Sequence, residues 1–501
     1  MKKCFSLYLV LVFLFGITRI ALPQTGIKST ILKGLDSYYN FNWTQSENTF
    51  QKLIDKYPDD PRGYHYMSGI YFWYYFSNKD KDDLNKFLEY SDKAIDEAVA
   101  KIDTLTDDPD LLYILGANYS YRAMAFTQEG KFLDAVWATK RSESFLKKVI
   151  EINPKYYDAY LGLGLYNFAL GQIPKAFQWA LSIAGMKGDK EKGLTYLQEA
   201  VNKGTFTKVE ASFYYSQILS DFFADYRKAS KFLDNLLQKY PDNLLFSYSL
   251  SVVKIRERKL DAANKLLHKI VKASNIKLPQ LIALSNFLLG DIQFKQNNFD
   301  SATVYYNKFI LTTPENDYTG ITNYRLAICY ELMEQENVAT TFFKMTNRGN
   351  TDIEDDVYAK RRGEYFSEHN FNQDDKNLVR FNHYIAMSRF KTAIDSLNEL
   401  KDTTKSEDVK AEAMLNISDA LYLLGNYKAS ADSALLIKSY QIENEKWIEP
   451  YSYYFAARAQ LKLGNSEGAK RNIEEAEGFK NFDYQNKLKN LLFGIRSKEK
   501  Y

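Results

Sequence analysis

Cysteine, proline, histidine and net charge are all scarce in this chain. Of its 501 residues two are cysteine, Cys4 and Cys329, ten are proline and four are histidine. Two thiols, one of them at the extreme N-terminus, cannot build a disulfide framework or a cysteine-rich metal site. The histidines, His65, His268, His369 and His383, are dispersed without the spacing of a zinc-binding helix. Lysine and arginine number 66 against 63 acids, and Lys2, Lys3 and Arg19 fall in the first 24 residues, which hold no acid, so the remainder balances at 63 against 63. A neutral chain without a basic block gives no electrostatic reason to expect nucleic acid as a partner. No phosphate-cradling G-x-x-x-x-G-K-[ST] loop, dinucleotide glycine fingerprint or G-x-S-x-G elbow occurs. Cys329 sits in Leu326-Ala-Ile-Cys-Tyr330, an apolar helix interior where a buried structural thiol is expected. No catalytic residue, cofactor or metal site is therefore nominated, and the chain reads as non-enzymatic.

Long apolar runs are also lacking, with one exception. Lys2 and Lys3 precede an apolar stretch from Phe5 to Ile17, about 13 residues and so roughly 20 Å as a helix, short of the roughly 30 Å hydrocarbon core. Residues 1–24 read as a secretory signal, cleaved between Thr18 and Gly26, with an uncleaved anchor as the alternative. No later stretch reaches spanning length, so the mature chain is expected to have no transmembrane span and to reside in an exported compartment, periplasmic or envelope-associated, or secreted.

What the chain has in abundance is aromatic residues, Tyr 39, Phe 33 and Trp 5, and it has a length too great for one hydrophobic core. A spacing recurs along it. Ser46, Phe50, Leu53 and Pro58 return as Ser142, Leu146, Val149 and Pro154, as Ala229, Leu233, Leu236 and Pro241, and as Ala302, Tyr306, Phe309 and Pro314. Weaker copies centre on Gly193, Ala262, Ala339, Ala393, Ala429 and Ala469. In the clearest units a second small residue stands twelve positions earlier, as Gly290 does before Ala302, and turn signals such as Asn297-Asn298, Gly425-Asn426 and Gly464-Asn465 lie between. Paired small residues let two antiparallel helices approach closely, the turn joins them, and the proline helps end the second helix.

These residues resemble the tetratricopeptide repeat from about residue 30 to 480, in about ten units. The expected fold is all-α, a right-handed α-solenoid of stacked helical hairpins. Within it, Tyr160-Leu-Gly-Leu-Gly-Leu-Tyr-Asn-Phe168, Gln172-Ile-Pro-Lys-Ala-Phe-Gln-Trp-Ala180 and Gly185-Met-Lys-Gly-Asp-Lys-Glu-Lys-Gly193 are similar to the tetratricopeptide repeat protein 39 family and its fungal inclusion-body-clearance relatives. That resemblance implies a repeat scaffold without an established enzymatic activity. An export signal departs from it and puts an intracellular role in doubt.

Interruptions of the repeat divide the chain. An N-terminal array is expected over 25–345, with inserted helices near 126–139, where Gly116 and Ser142 lie 26 apart, and near 172–187, where Pro174 opens a helix with Phe177, Leu181 and Ala184 on one face. A polar stretch over 346–378 reads as a solvated spacer helix, with acids from Asp352 to Asp356 ahead of Arg361-Arg362. A second array follows over 379–490 and a basic tail over 491–501.

In the repeat family the first helix of each hairpin lines the concave side. Aligning Gly69 with the first small position places Tyr66, Ile70, Trp73 and Tyr74 there, and other units add Tyr113, Tyr121, Tyr324, Tyr451 and Tyr454. Large amphipathic rings suit recognition at low entropic cost, and also suit packing of a bulky inner wall. The paired Asn and Lys of the family's carboxylate clamp are replaced by Tyr66, Tyr113 and Tyr324. The leading expectation is a scaffold binding a protein or peptide through the concave face. The alternative is a small-molecule or glycan binder with residues 64–76 as its platform. Nothing in the sequence fixes the oligomeric state.

Overall fold

The computed structural model describes residues 24–102, 108–171, 185–273 and 277–498. Most of the export signal with Cys4, and the helix expected from Pro174 to Ala184, lie outside the described residues. Among those described, every regular element is helical. The first turn of the solenoid holds α1 (Gln24–Tyr39), α2 (Trp43–Lys56), α3 (Pro61–Asn78), α4 (Lys81–Ile102), α5 (Pro109–Gln128), α6 (Phe132–Ile152), α7 (Ala159–Leu170), α8 (Lys190–Lys203), α9 (Lys208–Asp221), α10 (Tyr226–Lys239), α11 (Leu244–Arg256) and α12 (Leu260–Val271). The second holds α13 (Pro279–Lys295), α14 (Phe299–Thr312), α15 (Thr319–Leu332), α16 (Glu336–Lys344), α17 (Glu354–Glu368), α18 (Gln373–Ala386), α19 (Phe390–Thr403), α20 (Glu407–Leu423), α21 (Tyr427–Leu436), α22 (Ile448–Lys462), α23 (Ser466–Gly478) and α24 (Gln485–Lys498). Successive helices pair as antiparallel hairpins, with α17 and α24 unpaired.

The small residues act as the spacing requires. Ser46 Oγ donates to the Gly34 carbonyl at 2.9 Å, and Ser418 and Ser430 each donate to the other's carbonyl at 2.8 Å. At Gly193 a Cβ would stand 2.6 Å from the Phe168 main-chain nitrogen, so only hydrogen fits between α7 and α8. The aromatic and aliphatic members of the pattern, Phe50, Leu233, Tyr306 and Phe309, are fully buried, each stabilising by about 1.5–3 kcal/mol. Asn297, Gly425 and Gly464 adopt left-handed φ of 60°, 82° and 75° at the hairpin turns. Pro58, Pro154, Pro241 and Pro314 each follow closely on the end of α2, α6, α10 and α14.

Four expectations are corrected. No separate helix is inserted near 126–139: residues to Gln128 finish α5 and residues from Phe132 begin α6, which run 20 and 21 residues around a turn at Gly130. With no helix breaker between Gly116 and Gln128, the extra length simply prolongs the hairpin. The 346–378 region contains the expected helix, α17, but it is not a solvated spacer. Ala359 and Phe366 are buried against α15 and α16, and the Asp356 carboxylate accepts the N–H groups of Ile321 at 2.8 Å and Asn350 at 2.9 Å. The second array begins at α18, behind a capping box of Asn372 and Asp375, rather than at 379. Residues 491–498 are no tail either. They complete α24, burying Leu492 and Ile495, and Phe493 meets Phe168 and Phe223 with ring centres 6.4 and 6.0 Å away.

The first turn closes on its own start, and the second turn touches the first. Asn243 Nδ2 donates to the Tyr39 carbonyl at 2.7 Å, and the Tyr240 hydroxyl to Asp36 at 3.0 Å. Asp419, on α20, accepts from Arg258 at 2.8 Å and from Arg458 at 2.6 Å. Inner-wall side chains therefore meet one another across the axis.

Candidate functional site

The first turn closes on itself where α1 packs against residues 205–209 and 240–243. Two small voids remain inside. One, of about 30 Å³, is walled by Tyr38, Tyr39, His65, Tyr66, Tyr113, Tyr121 and Glu210; the other, of about 40 Å³, by Trp43, Trp73, Phe213, Tyr214 and the same Glu210. Voids of this size hold a few water molecules. A glycan laid on Trp73 finds no room there, and Tyr74 lines neither void.

The chamber is polar at two points. The Glu210 carboxylate has the Tyr121 hydroxyl 3.4 Å from both oxygens, and burial pushes its pKa up to about 7. His65 Nδ1 lies 3.0 Å from Asn118 Nδ2, an amide donor, so the imidazole accepts there and is neutral; burial lowers its pKa to about 4. The Trp73 indole nitrogen is buried without a hydrogen-bond partner.

The structure brings Tyr66, Trp73, Tyr113 and Tyr121 to these voids and turns the other nominated residues elsewhere. Gly69 is not the packed small position of α3. A Cβ there would meet nothing within 4 Å, whereas Ser68 is fully buried and hydrogen-bonded to Asn118. The alignment on Gly69 was thus off by one residue, about 100° around the helix, and Ile70 and Tyr74 face the preceding hairpin instead. Tyr74 packs on Trp43 with ring centres 5.2 Å apart, its hydroxyl 3.2 Å from Glu47. Tyr324 is buried between Phe343 and Tyr358, the Tyr451 hydroxyl donates to the Tyr484 carbonyl at 3.0 Å, and Tyr454 lies in the core of the last hairpins.

Two inner-wall acids escaped the sequence reading. Glu412, on α20, is also pushed up to about 7, by burial and then by Glu445. Both stand among apolar neighbours, as in Val209-Glu-Ala-Ser-Phe-Tyr214, and an acid so flanked on a first helix was the available signal.

Two of the features accessible from outside combine aromatic surface with a defined position on the first turn. A recess of about 270 Å³ opens at the end of the first-turn axis, floored by Tyr66, Tyr113 and Phe206 and rimmed by the 153–158 loop. On the far end of the long α5–α6 hairpin, Phe132, Leu133 and Trp137 are 68%, 79% and 62% exposed. Apolar side chains of this size clustered in solvent mark interaction surfaces.

The fold is an all-α solenoid of stacked helical hairpins. Residues 158–362 match the model of the Iml2/Tetratricopeptide repeat protein 39 family, and residues 36–60 match a tetratricopeptide-repeat model. No curated protein matches the sequence. Solved structures similar to the chain include pilF of Pseudomonas aeruginosa, at 16% identity over 50% of this chain and 97% of that one, TM-score 0.34. Human IFIT1, in a dimer with PPP-AAAA, is 14% identical over 92% and 91%, TM-score 0.36, and yeast Tom70 is 13% identical over 94% and 95%, TM-score 0.28. Among the described residues no helix is long and apolar enough to cross a membrane.

Proposed function

We propose that the protein is an exported, non-enzymatic repeat scaffold that holds a protein partner in the bacterial cell envelope. Tetratricopeptide repeats are interaction modules, and the family matches extend over both ends of the first turn. Export rests on the Lys2-Lys3 and Phe5–Ile17 pattern. The observation that carries the reading is the exposed Phe132, Leu133 and Trp137 on the prolonged α5–α6 hairpin. Aromatic anchors of this kind dominate protein interfaces, and the first-turn inner wall is filled by its own side chains. The partner therefore meets the hairpin tip rather than the concave face.

A photo-crosslinking residue placed at position 137 tests this in the envelope fraction. The expected result is one recurrent protein, identified by mass spectrometry and lost when Phe132 and Leu133 are both replaced by Asp. If that variant keeps its melting temperature and captures the same proteins as the parent, the tip is not the docking surface.

A further inference from the structure

We propose that the recess at the end of the first-turn axis is a binding site for a short saccharide. This goes beyond the scaffold reading and does not depend on it. Four separate elements converge there, α1, α3, α5 and the 153–158 loop, and residues 203–206 close the remaining side. The recess is blind, because Tyr66, Tyr113 and Phe206 separate it from the water-sized void behind. At about 270 Å³ it lies just below the roughly 300–1,000 Å³ of ordinary small-ligand sites, which suits one or two sugar rings and excludes a long chain.

Its chemistry is mixed in a particular way. Rings of Tyr156 and Tyr157 at the rim add apolar surface for the C–H face of a pyranose, the Tyr157 ring being met on one side by the Lys203 ammonium at 4.9 Å. Between them stand Asp110, Asp158, Asn153 and Arg62, acceptors and donors for hydroxyl groups. These groups are held in place before any ligand arrives. Asp158 Oδ1 accepts the N–H groups of Thr205, Phe206 and Thr207 at 2.9, 2.8 and 2.9 Å and the Thr207 hydroxyl at 2.9 Å. The Tyr156 hydroxyl donates to Asp110 at 2.8 Å, and Arg62 is fixed on Asp60 through Nε at 2.9 Å and Nη2 at 2.6 Å. Preorganised polar groups lower the cost of binding.

Other ligand classes fit less well. An acyl chain would strip water from Asp110 and Asp158 without replacing its hydrogen bonds. A bare phosphate would meet Lys28, Lys155 and Lys203 but also the Asp110 and Asp158 carboxylates, whereas an acidic sugar such as glucuronate can use both sets of groups. A hydroxyl-rich ring satisfies acceptors and aromatic faces together.

The test is isothermal titration of the purified protein with disaccharides of glucose, galactose, N-acetylglucosamine and glucuronic acid. At least one is expected to bind, and Tyr157→Ala to weaken it by tenfold or more. Tyr157 is only half-buried, but a second variant guards against misfolding: Thr205→Trp, at an exposed rim position, should fill the recess and abolish binding with an unchanged melting temperature. Trp137→Ala, at the proposed protein-docking tip, should bind as the parent does, so this site and the scaffold reading fail separately. Absence of binding by every probe at 10 mM (an experimental ceiling of about that order, where affinities lose meaning), or equal binding by the parent and the folded Thr205→Trp variant, overturns the proposal.

Discussion

The side-chain amide of Asn243 donates to the main-chain carbonyl of Tyr39 at 2.7 Å, across 204 residues of sequence. The same side chain caps α11, its oxygen accepting the Phe246 N–H at 2.9 Å. One residue thus starts a helix and fastens the first turn to its own beginning. Asn243→Asp keeps the cap and loses the donor, leaving the Tyr39 carbonyl unpaired, and should cost about 1–3 kcal/mol. Asn243→Ala should cost about 1 kcal/mol more. Urea unfolding of the two variants against the parent measures both. Equal stability of Asn243→Asp and the parent would mean that the contact contributes nothing.

Two glycines separate packing from mere flexibility. At Gly193 an added methyl meets main-chain atoms of α7, at 2.6 Å from the Phe168 nitrogen, which cannot move aside. Gly193→Ala should lose about 3 kcal/mol, at the upper end of overpacking costs. At Gly69, where nothing lies within 4 Å, Gly69→Ala should gain about 0.5–1 kcal/mol through helix propensity. Thermal melts of the pair in opposite directions are the expected outcome.

The contrast also shows what the sequence could and could not disclose. Hairpins were legible because their signal is local. Gly34 and Ser46 stand twelve apart and touch, and Phe50, Tyr306 and Phe309 follow at helical spacing; in the weaker copies centred on Ala262 and Ala429 the packed residues are Ala263 and Ser430, one position on. On α3 the adjacent Ser68 and Gly69 offered two small residues, and choosing Gly69 turned Ile70 and Tyr74 to the wrong side. Closure of the turn was not legible at all. It depends on curvature accumulated through the long α3–α6 hairpins, and no spacing encodes the meeting of Tyr39 with Asn243. The Glu210 chamber and the recess follow from that closure, so they were hidden with it, although Tyr66 and Tyr113, which line both, were singled out.

Burial of Glu210 makes stability depend on pH. Its folded-state pKa is pushed up to about 7, whereas an unfolded chain's glutamate titrates near about 4.3. Between these values the folded protein holds a proton that the unfolded chain releases. The contribution is therefore fully present below about pH 4.3 and is lost as pH rises through 7. Glu210→Gln mimics the neutral acid at every pH. It should match the parent near pH 4 and exceed it at pH 8, by roughly 3 kcal/mol. His65 and His383, lowered by burial to about 4 and about 3, are common to both proteins and cancel in the difference. Unfolding curves that stay parallel from pH 4 to 8 would contradict this account.

Cys329 offers a probe of opening. It is buried on α15, and burial pushes its thiol pKa well up, so the reactive thiolate is scarce. In a Cys4→Ser background, Ellman's reagent should label almost none of the native protein at pH 8 and one thiol per chain in guanidinium. Rapid labelling of the native protein would show that α15 opens locally.

During synthesis, the Tyr39 carbonyl leaves the ribosome 204 residues ahead of the amide that receives it. An open repeat array can grow hairpin by hairpin, each new pair settling on the last. Here the earliest pair has its other neighbour still untranslated, and Ile31 and Tyr39, buried in the finished molecule, stay uncovered until then. Closure of the first turn is thus a late event, and a nascent chain stalled before Asn243 leaves the Tyr39 carbonyl without the amide that receives it.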